Sequence, residues 1–164
     1  YLSINRVEAS ALVPMLSARV TLGQDDTVPD QTTPTLWRIG LEFGGFTMPL
    51  RTFFKAMRDL GIANTVVTDG GKGAYLSTPD KVLFCSALDV PVQGTVGAGD
   101  SFSATLASGI ASGLPPRDAI MRATANASSV VQHIDAQAGL MTPAEMDATL
   151  ARVEEDFEIL EFDY

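Results

Sequence analysis

Residues 95–102 read TVGAGDSF and form the sharpest motif in the sequence. The apolar residues that follow it recur at helical spacing up to Gly113, which predicts a tightly packed helix that begins at the glycines. Glycine lets the backbone come close to a ligand, and the first N–H groups of a helix are unpaired and lie at the positive end of its dipole. Residues 97–99 therefore predict an anion-binding loop at a strand-to-helix junction.

Asp100 stands in the same turn and needs its own explanation. A carboxylate repels phosphate, so a loop that only binds an anion does not need one. Asp100 could accept the proton of a hydroxyl that attacks a phosphoryl group, while the loop N–H groups neutralise the charge on that group. The alternative is that Asp100 only caps the helix, a role that Asp fills well.

Two other glycine motifs do not fit the sequence. A dinucleotide-binding fingerprint ends in Gly or Ala, whereas Phe102 follows Gly97 and Gly99 here and would block close helix packing. A P-loop has Gly-Lys followed by Ser or Thr, whereas Lys72 is followed by Gly73. Both classes of nucleotide site are therefore excluded.

The rest of the chain alternates between helical and extended patterns. Upstream, we predict a helix over 5–16 capped by Asn5, a loop or insertion over 19–49 with a short strand near 37–41, and a helix over 50–60. We then predict a buried parallel strand over 62–68, a turn over 69–73, and a hairpin formed by 74–76 and 82–85. Downstream, a helix opens at Pro115 and Pro116, a capping box at Thr142 and Glu145 starts a last helix to Val153, and 154–164 is predicted to be a solvated acidic tail.

The composition of the chain argues against several classes of partner and site. The 164 residues carry 20 Asp and Glu against 11 Lys and Arg, a formal charge of -9, and 46% of them are hydrophobic. This charge argues against nucleic acid and anionic membranes as partners, because affinity for phosphate backbones depends on Lys and Arg. Cys85 is the single cysteine, and no apolar run approaches the roughly 20 residues of a membrane span, so disulfide scaffolds, cysteine metal sites and membrane spans are excluded.

The motif at 95–102 closely resembles the C-terminal signature of the ribokinase-like (PfkB) carbohydrate kinases. Three further segments stand in that family's order. Residues 5–8 resemble its Asn-x-x-Glu element, residues 68–74 its nucleotide-contacting strand and turn, and residues 125–127 the helix whose Asn lies beside adenine.

The resemblance implies a fold class and a domain layout. We expect a three-layer α/β/α fold with a mainly parallel sheet, in which residues 1–153 form the C-terminal part of the kinase domain and the N-terminal part and lid lie upstream of Tyr1. A cytoplasmic enzyme is implied, and a homodimer through the lid sheet would fit the family.

The resemblance also implies a reaction and its residues. We expect ATP-dependent phosphorylation of a sugar or sugar phosphate, with ATP and Mg²⁺ as cofactors. Asp100 would be the catalytic base, and Gly97, Ala98 and Gly99 the anion hole. Thr68, Gly70, Gly73 and Asn126 would bind nucleotide, and Asn5 and Glu8 would belong to the magnesium site. The alternative is a non-catalytic nucleotide-binding fragment or module.

Position 94 departs from the family pattern. Many members have Asp where this chain has Gly94, and in some of them that position helps to build a monovalent-cation site. Gly94 therefore puts potassium activation in doubt. Together with Val96 and Ser101, it leans toward the branch that phosphorylates sugar phosphates.

Overall fold

A computed structural model describes residues 1–19 and 32–164. The strands are β1 (Leu2–Asn5), β2 (Leu41–Phe43), β3 (Phe46–Met48), β4 (Thr65–Thr68), β5 (Ala74–Ser77), β6 (Lys81–Cys85) and β7 (Ile159–Asp163). The helices are α1 (Arg6–Ser17), α2 (Thr35–Ile39), α3 (Leu50–Asp59), α4 (Ala98–Ala111), α5 (Pro116–Val130) and α6 (Pro143–Val153), with short 3-10 turns at Gly70–Lys72 and Glu154–Asp156.

The central sheet has five strands in the order β1-β4-β5-β6-β7. Strands β1 and β4 are parallel, whereas β4–β5, β5–β6 and β6–β7 are antiparallel. The predicted hairpin and the parallel β4 are confirmed. Within the described strands the sheet is mixed, because the hairpin and the returning β7 contribute antiparallel pairs beside the parallel pair β1–β4.

Helices cover both faces of this sheet, which confirms the three-layer α/β/α arrangement. On one face, α1 and α3 bury large side chains against Val67, Tyr75, Val82 and Phe84 of the sheet. On the other, α4, α5 and α6 pack on Val66, Leu76, Leu83 and Cys85. Because full burial of such a side chain contributes about 1.5–3 kcal/mol, these two cores hold the layers together.

Local signals position the helix starts well. The Asn5 side chain accepts a hydrogen bond from the Glu8 N–H, and the Glu8 side chain accepts one from the Asn5 N–H, so a capping box starts α1. Thr142 and Glu145 form the predicted box at α6. The Thr142 N–H and hydroxyl both donate to the Glu145 carboxylate, and these two hydrogen bonds lower the pKa of Glu145.

Two predictions for irregular segments are wrong. Of the 19–49 segment, residues 20–31 lie outside the described part of the chain, and the remainder forms α2 and the β2–β3 hairpin. The predicted strand near 37–41 is instead mostly helix, and the Trp37 ring stacks on Phe162 with ring centres 4.2 Å apart.

The C-terminal segment is not a solvated acidic tail. Residues 159–163 pair with the edge of β6 as β7, and Leu160, Phe162 and Tyr164 pack against the α1 and α3 core. Their spacing of two residues is a strand signal that the surrounding acidic residues concealed. Within the described residues, no helix is both long and apolar enough to span a membrane.

Candidate active site

The candidate site is centred on the edge of the sheet where β1 and β4 end. Their parallel register pairs Asn5 with Thr68, so the segment 5–8 lies beside the start of the turn 69–73. An ion pair joins the two segments, with Arg6 Nη1 3.4 Å from Asp69 Oδ1. Carboxyl ends of parallel strands are the usual position for ligands in open α/β sheets.

The turn 69–73 closes on itself. The Asp69 N–H donates to the Gly73 carbonyl oxygen at 2.8 Å, and the Gly73 N–H donates to the Gly70 carbonyl oxygen at 3.2 Å. Gly73 has φ 119°, and a Cβ there would lie 2.2 Å from the Cys85 carbonyl oxygen. Only glycine fits this position, both by backbone conformation and by space.

The loop before α4 has the features of an anion site. Gly97, at φ 83°, is the N-cap of the 14-residue helix, and no side chain caps it. The first helical hydrogen bond runs from the Ser101 N–H to the Gly97 carbonyl oxygen at 2.8 Å. Within the described residues, the N–H groups of Gly99 and Asp100 have no acceptor, so they are available to a ligand at the positive end of the helix dipole.

Asp100 does not act as the helix cap. It lies in the first turn of α4, exposed to solvent, three residues after the N-cap Gly97. The alternative interpretation of Asp100 as a cap is therefore wrong. Its side chain is exposed, and it belongs to the same helical turn as the free N–H groups.

A cavity of about 300 Å³ joins the turn 69–73 to this loop. Thr68, Gly70 and Gly73 line it from the β4 side, and Ala98 and Gly99 line it from the start of α4. The structure thus brings together five of the predicted nucleotide and anion-hole residues. Gly97 and Asp100 adjoin these lining residues in the chain.

Asn126 does not line the cavity. Its side chain is buried, and its Nδ2 donates to Thr105 Oγ1 at 2.8 Å while its Oδ1 accepts from the Met141 N–H at 3.0 Å. These bonds tie α5 to α4 and to the start of the last helix. The expected contact of Asn126 with adenine therefore has no support here, because both ends of its amide are occupied inside the protein.

Residues that the motifs did not identify form the remaining cavity wall. Thr124, Ala127, Ser128 and Val131 line it from α5 and its end, and Ala87, Leu88, Val90 and Val92 line it from the loop after β6. Val92 is 64% exposed, so this side of the cavity is open to solvent. The sequence signal for this wall was a set of apolar residues around Pro91, in a segment with no helix or strand pattern.

The cavity wall also contains a buried thiol contact. Thr124 Oγ1 donates to Cys85 Sγ at 3.5 Å, and Cys85 is fully buried at the end of β6. Burial raises the pKa of the Cys85 thiol to about 11. Cys85 is therefore a neutral structural group at physiological pH and not a nucleophile.

Asn5 and Glu8 offer a limited set of metal ligands. Asn5 Oδ1 and Glu8 Oε2 are engaged in the capping box, and within the described residues no hydrogen bond reaches Glu8 Oε1. No group of three or more His, Cys, Asp or Glu side chains in these residues could hold a metal ion. This fits a hydrated Mg²⁺ that is carried by phosphates and touches one or two protein oxygens, and it does not fit an all-protein cage.

Comparison with known proteins identifies the family. The family model described as pfkB family carbohydrate kinase matches residues 51–143, more than half of the chain. The chain belongs to this family. A comparison with curated protein sequences found no match.

Solved structures agree with this pfkB-family assignment. The chain is similar to the ribokinase of Thermotoga maritima (TM-score 0.68, 23% identity, 93% of this chain and 42% of that chain). It is also similar to a candidate sugar kinase of Clostridium perfringens (TM-score 0.67, 21% identity, 99% of this chain and 42% of that chain). A third similar structure is Arabidopsis thaliana ribokinase complexed with ribose and ATP (TM-score 0.63, 22% identity, 91% of this chain and 40% of that chain). The ribokinase-like fold is thereby confirmed, and the chain spans about two fifths of the length of these structures.

Proposed function

We propose that this chain carries the nucleotide half of an ATP-dependent kinase that phosphorylates a hydroxyl of a sugar or sugar phosphate. The observation that carries the proposal is the start of α4. There, unpaired N–H groups at the positive helix end and the exposed Asp100 carboxylate adjoin a cavity lined by glycines and apolar side chains. Membership of the pfkB family of carbohydrate kinases supports a sugar as the acceptor class.

Each part of the site has a chemical task in this proposal. The cavity takes the nucleotide, with the apolar side chains of 87–92 against the base and the turn 69–73 near the phosphates. The backbone of Gly97, Ala98 and Gly99 stabilises negative charge on the transferring phosphoryl group, chiefly through the free Gly99 N–H, since the Ala98 N–H donates to the Thr95 carbonyl oxygen at 3.4 Å. Asp100 accepts the proton of the attacking hydroxyl, and its first-turn position keeps it next to these N–H groups.

Magnesium belongs to the same proposal. Glu8, with Asn5 beside it, would hold the ion, which would offset the charge of the phosphates. Arg6 lies between these residues in the chain and is held by Asp69, so the segment 5–8 and the nucleotide turn keep a fixed relation.

Titration and turnover test the proposal together. We expect a non-hydrolysable ATP analogue to bind the chain calorimetrically and Mg²⁺ to strengthen the binding. Asp100→Asn should preserve this binding and reduce sugar-dependent turnover by about 10² to 10⁴, the usual contribution of a general base. Asp118→Asn is the matched control, because Asp118 lies in the first turn of the neighbouring α5 and does not line the cavity.

Three outcomes separate the interpretations. Normal turnover by Asp100→Asn would exclude Asp100 as the base, and absence of analogue binding by a folded chain would exclude the nucleotide site. Binding without turnover on any sugar or sugar phosphate would favour the second candidate, a nucleotide-binding module without catalysis. That candidate is favoured by the fact that the cavity is lined by residues of a chain that spans 42% of the Clostridium perfringens structure.

The expected homodimer and the cytoplasmic location stay predictions. The same holds for the exclusion of nucleic acid and anionic membranes as partners. Potassium activation also stays in doubt. A Cβ at position 94 would lie 2.9 Å from the His133 carbonyl oxygen, so a side chain there would require the backbone to move.

A further inference from the structure

The loop before α4 is held by a segment distant in the chain, residues 131–136, which we name the support segment. The N–H groups of Gln93 and Gly94 both donate to the Val131 carbonyl oxygen, at 2.8 and 3.2 Å. These two bonds fix the entrance of the anion loop to the end of α5.

Glycine packing is a second, independent sign of the same attachment. A Cβ on Gly97 would lie 2.7 Å from the Ala136 Cβ and 2.9 Å from the Ala136 carbonyl oxygen. A Cβ on Gly94 would lie 2.9 Å from the His133 carbonyl oxygen. The loop therefore lies against the support segment at both ends, with no space for one additional methyl group.

The same end of α5 also borders the cavity. Thr124, Ala127, Ser128 and Val131 line the cavity, and Val131 is the residue whose carbonyl oxygen holds the loop. The end of α5 thus contacts both the cavity, where the proposed function places the base, and the loop whose N–H groups would bind the phosphates. Residues 86–97 contain no helix or strand. Without contacts to another segment, they would lose conformational entropy each time a ligand bound.

We propose that the support segment sets the position of the anion loop relative to the cavity, and that Ala136 is a positioning residue for the phosphates of the bound nucleotide. This inference rests on the proposed function, since it assigns the phosphate end of the same site. Ala136 acts through Gly97 and does not line the cavity. Its contribution therefore concerns the phosphates and not the base.

Ala136→Val tests this, with Ala138→Val as the matched control. Both variants add the same two methyl groups to the same loop, but Ala138 is exposed and only Ala136 abuts Gly97. The affinities of each variant for adenosine and for a non-hydrolysable ATP analogue are compared by calorimetry. The amide resonances of 97–101 are recorded by NMR in the absence of ligand.

We expect Ala136→Val to shift the 97–101 amides and to weaken analogue binding at least tenfold while adenosine affinity stays within twofold. Ala138→Val should change neither. Equal losses for adenosine and the analogue, or unchanged 97–101 amides in Ala136→Val, would overturn the inference, as would an equal effect of Ala138→Val.

The NMR measurement keeps the two proposals separable. If the unmodified chain binds neither adenosine nor the analogue, the proposed function fails. The amide shifts then still decide whether the support segment positions the loop, because they need no ligand. Ala136→Ser, which adds a single oxygen atom, should retain more of the analogue affinity than Ala136→Val.

Discussion

The two glycine-rich segments that border the cavity are stabilised in opposite ways. The turn 69–73 makes hydrogen bonds within itself, from Asp69 to Gly73 and from Gly73 to Gly70. The loop 93–97 has local hydrogen bonds at its α4 end, but its first two residues, Gln93 and Gly94, donate to Val131, almost forty residues later in the chain. One segment is therefore a local structure, whereas the other takes its shape from a neighbouring helix, and the glycines in them serve different ends.

Gly73 serves the fold, and its replacement should have the largest effect. Gly73→Ala would force φ 119° on a residue with a Cβ and place that atom 2.2 Å from the Cys85 carbonyl oxygen. We expect the free energy of unfolding in urea to fall by about 3 kcal/mol or more. Gly71→Ala is the control, since Gly71 has open space around it and no positive φ, and it should leave the unfolding midpoint nearly unchanged. Equal stabilities of the two variants would contradict this account of the turn.

Gly99 serves the ligand in the proposed function, and its replacement should separate binding from stability. A Cβ on Gly99 meets nothing within 4 Å, and the residue lies in the first turn of α4 without a positive φ. Gly99→Ala should therefore raise stability slightly, by up to about 0.5–1 kcal/mol, because alanine loses less entropy in a helix. The added methyl group should weaken binding of the ATP analogue about tenfold, roughly 1.4 kcal/mol, by obstructing close approach of phosphate to the backbone. Unchanged analogue affinity would remove Gly99 from the anion hole.

The free energy of unfolding should depend on alkaline pH through Cys85, and this is the smallest expected effect. The pKa of Cys85 is raised by burial from 9.0 to about 11, so the thiol stabilises the fold below pH 9, and this contribution is lost as the pH rises from 9 toward 11. The free energy of unfolding should fall by about 1 kcal/mol between pH 9 and pH 10 through this group alone. Cys85→Ala should show a correspondingly shallower decline in urea titrations at the two pH values, and an identical decline would refute the assignment. Tyr75, whose pKa burial also raises, is common to both proteins and cancels in the comparison.

Sequence predicted those features whose cause is local. The cap at Asn5, the capping box at Thr142 and the turn 69–73 each depend on residues within a few positions of one another. The motif at 95–102 located the glycine loop at the start of α4, because glycines and a following helical pattern suffice to define it.

The errors share a different cause, since each depends on contacts between distant residues. The strand β7 exists because β6 offers an unpaired edge, and its acidic residues alone indicated a tail. The bonds of Asn126 to Thr105 and Met141 also join distant residues, which no local pattern records, while its expected contact with nucleotide stays a prediction. The apolar wall over 87–92 follows from where the loop after β6 passes, and that path is determined by packing against α5.

The position of β7 in the chain has a consequence for biosynthesis. Strand β6 and its partner β7 are separated by the three helices α4, α5 and α6, so the ribosome releases β6 well before the strand that pairs with its outer edge. During that interval the N–H and C=O groups along the edge are open to any other extended chain. A translational pause between these two strands would therefore prolong the exposure of the unpaired β6 edge. Chaperone binding to the nascent chain should be greatest in this interval.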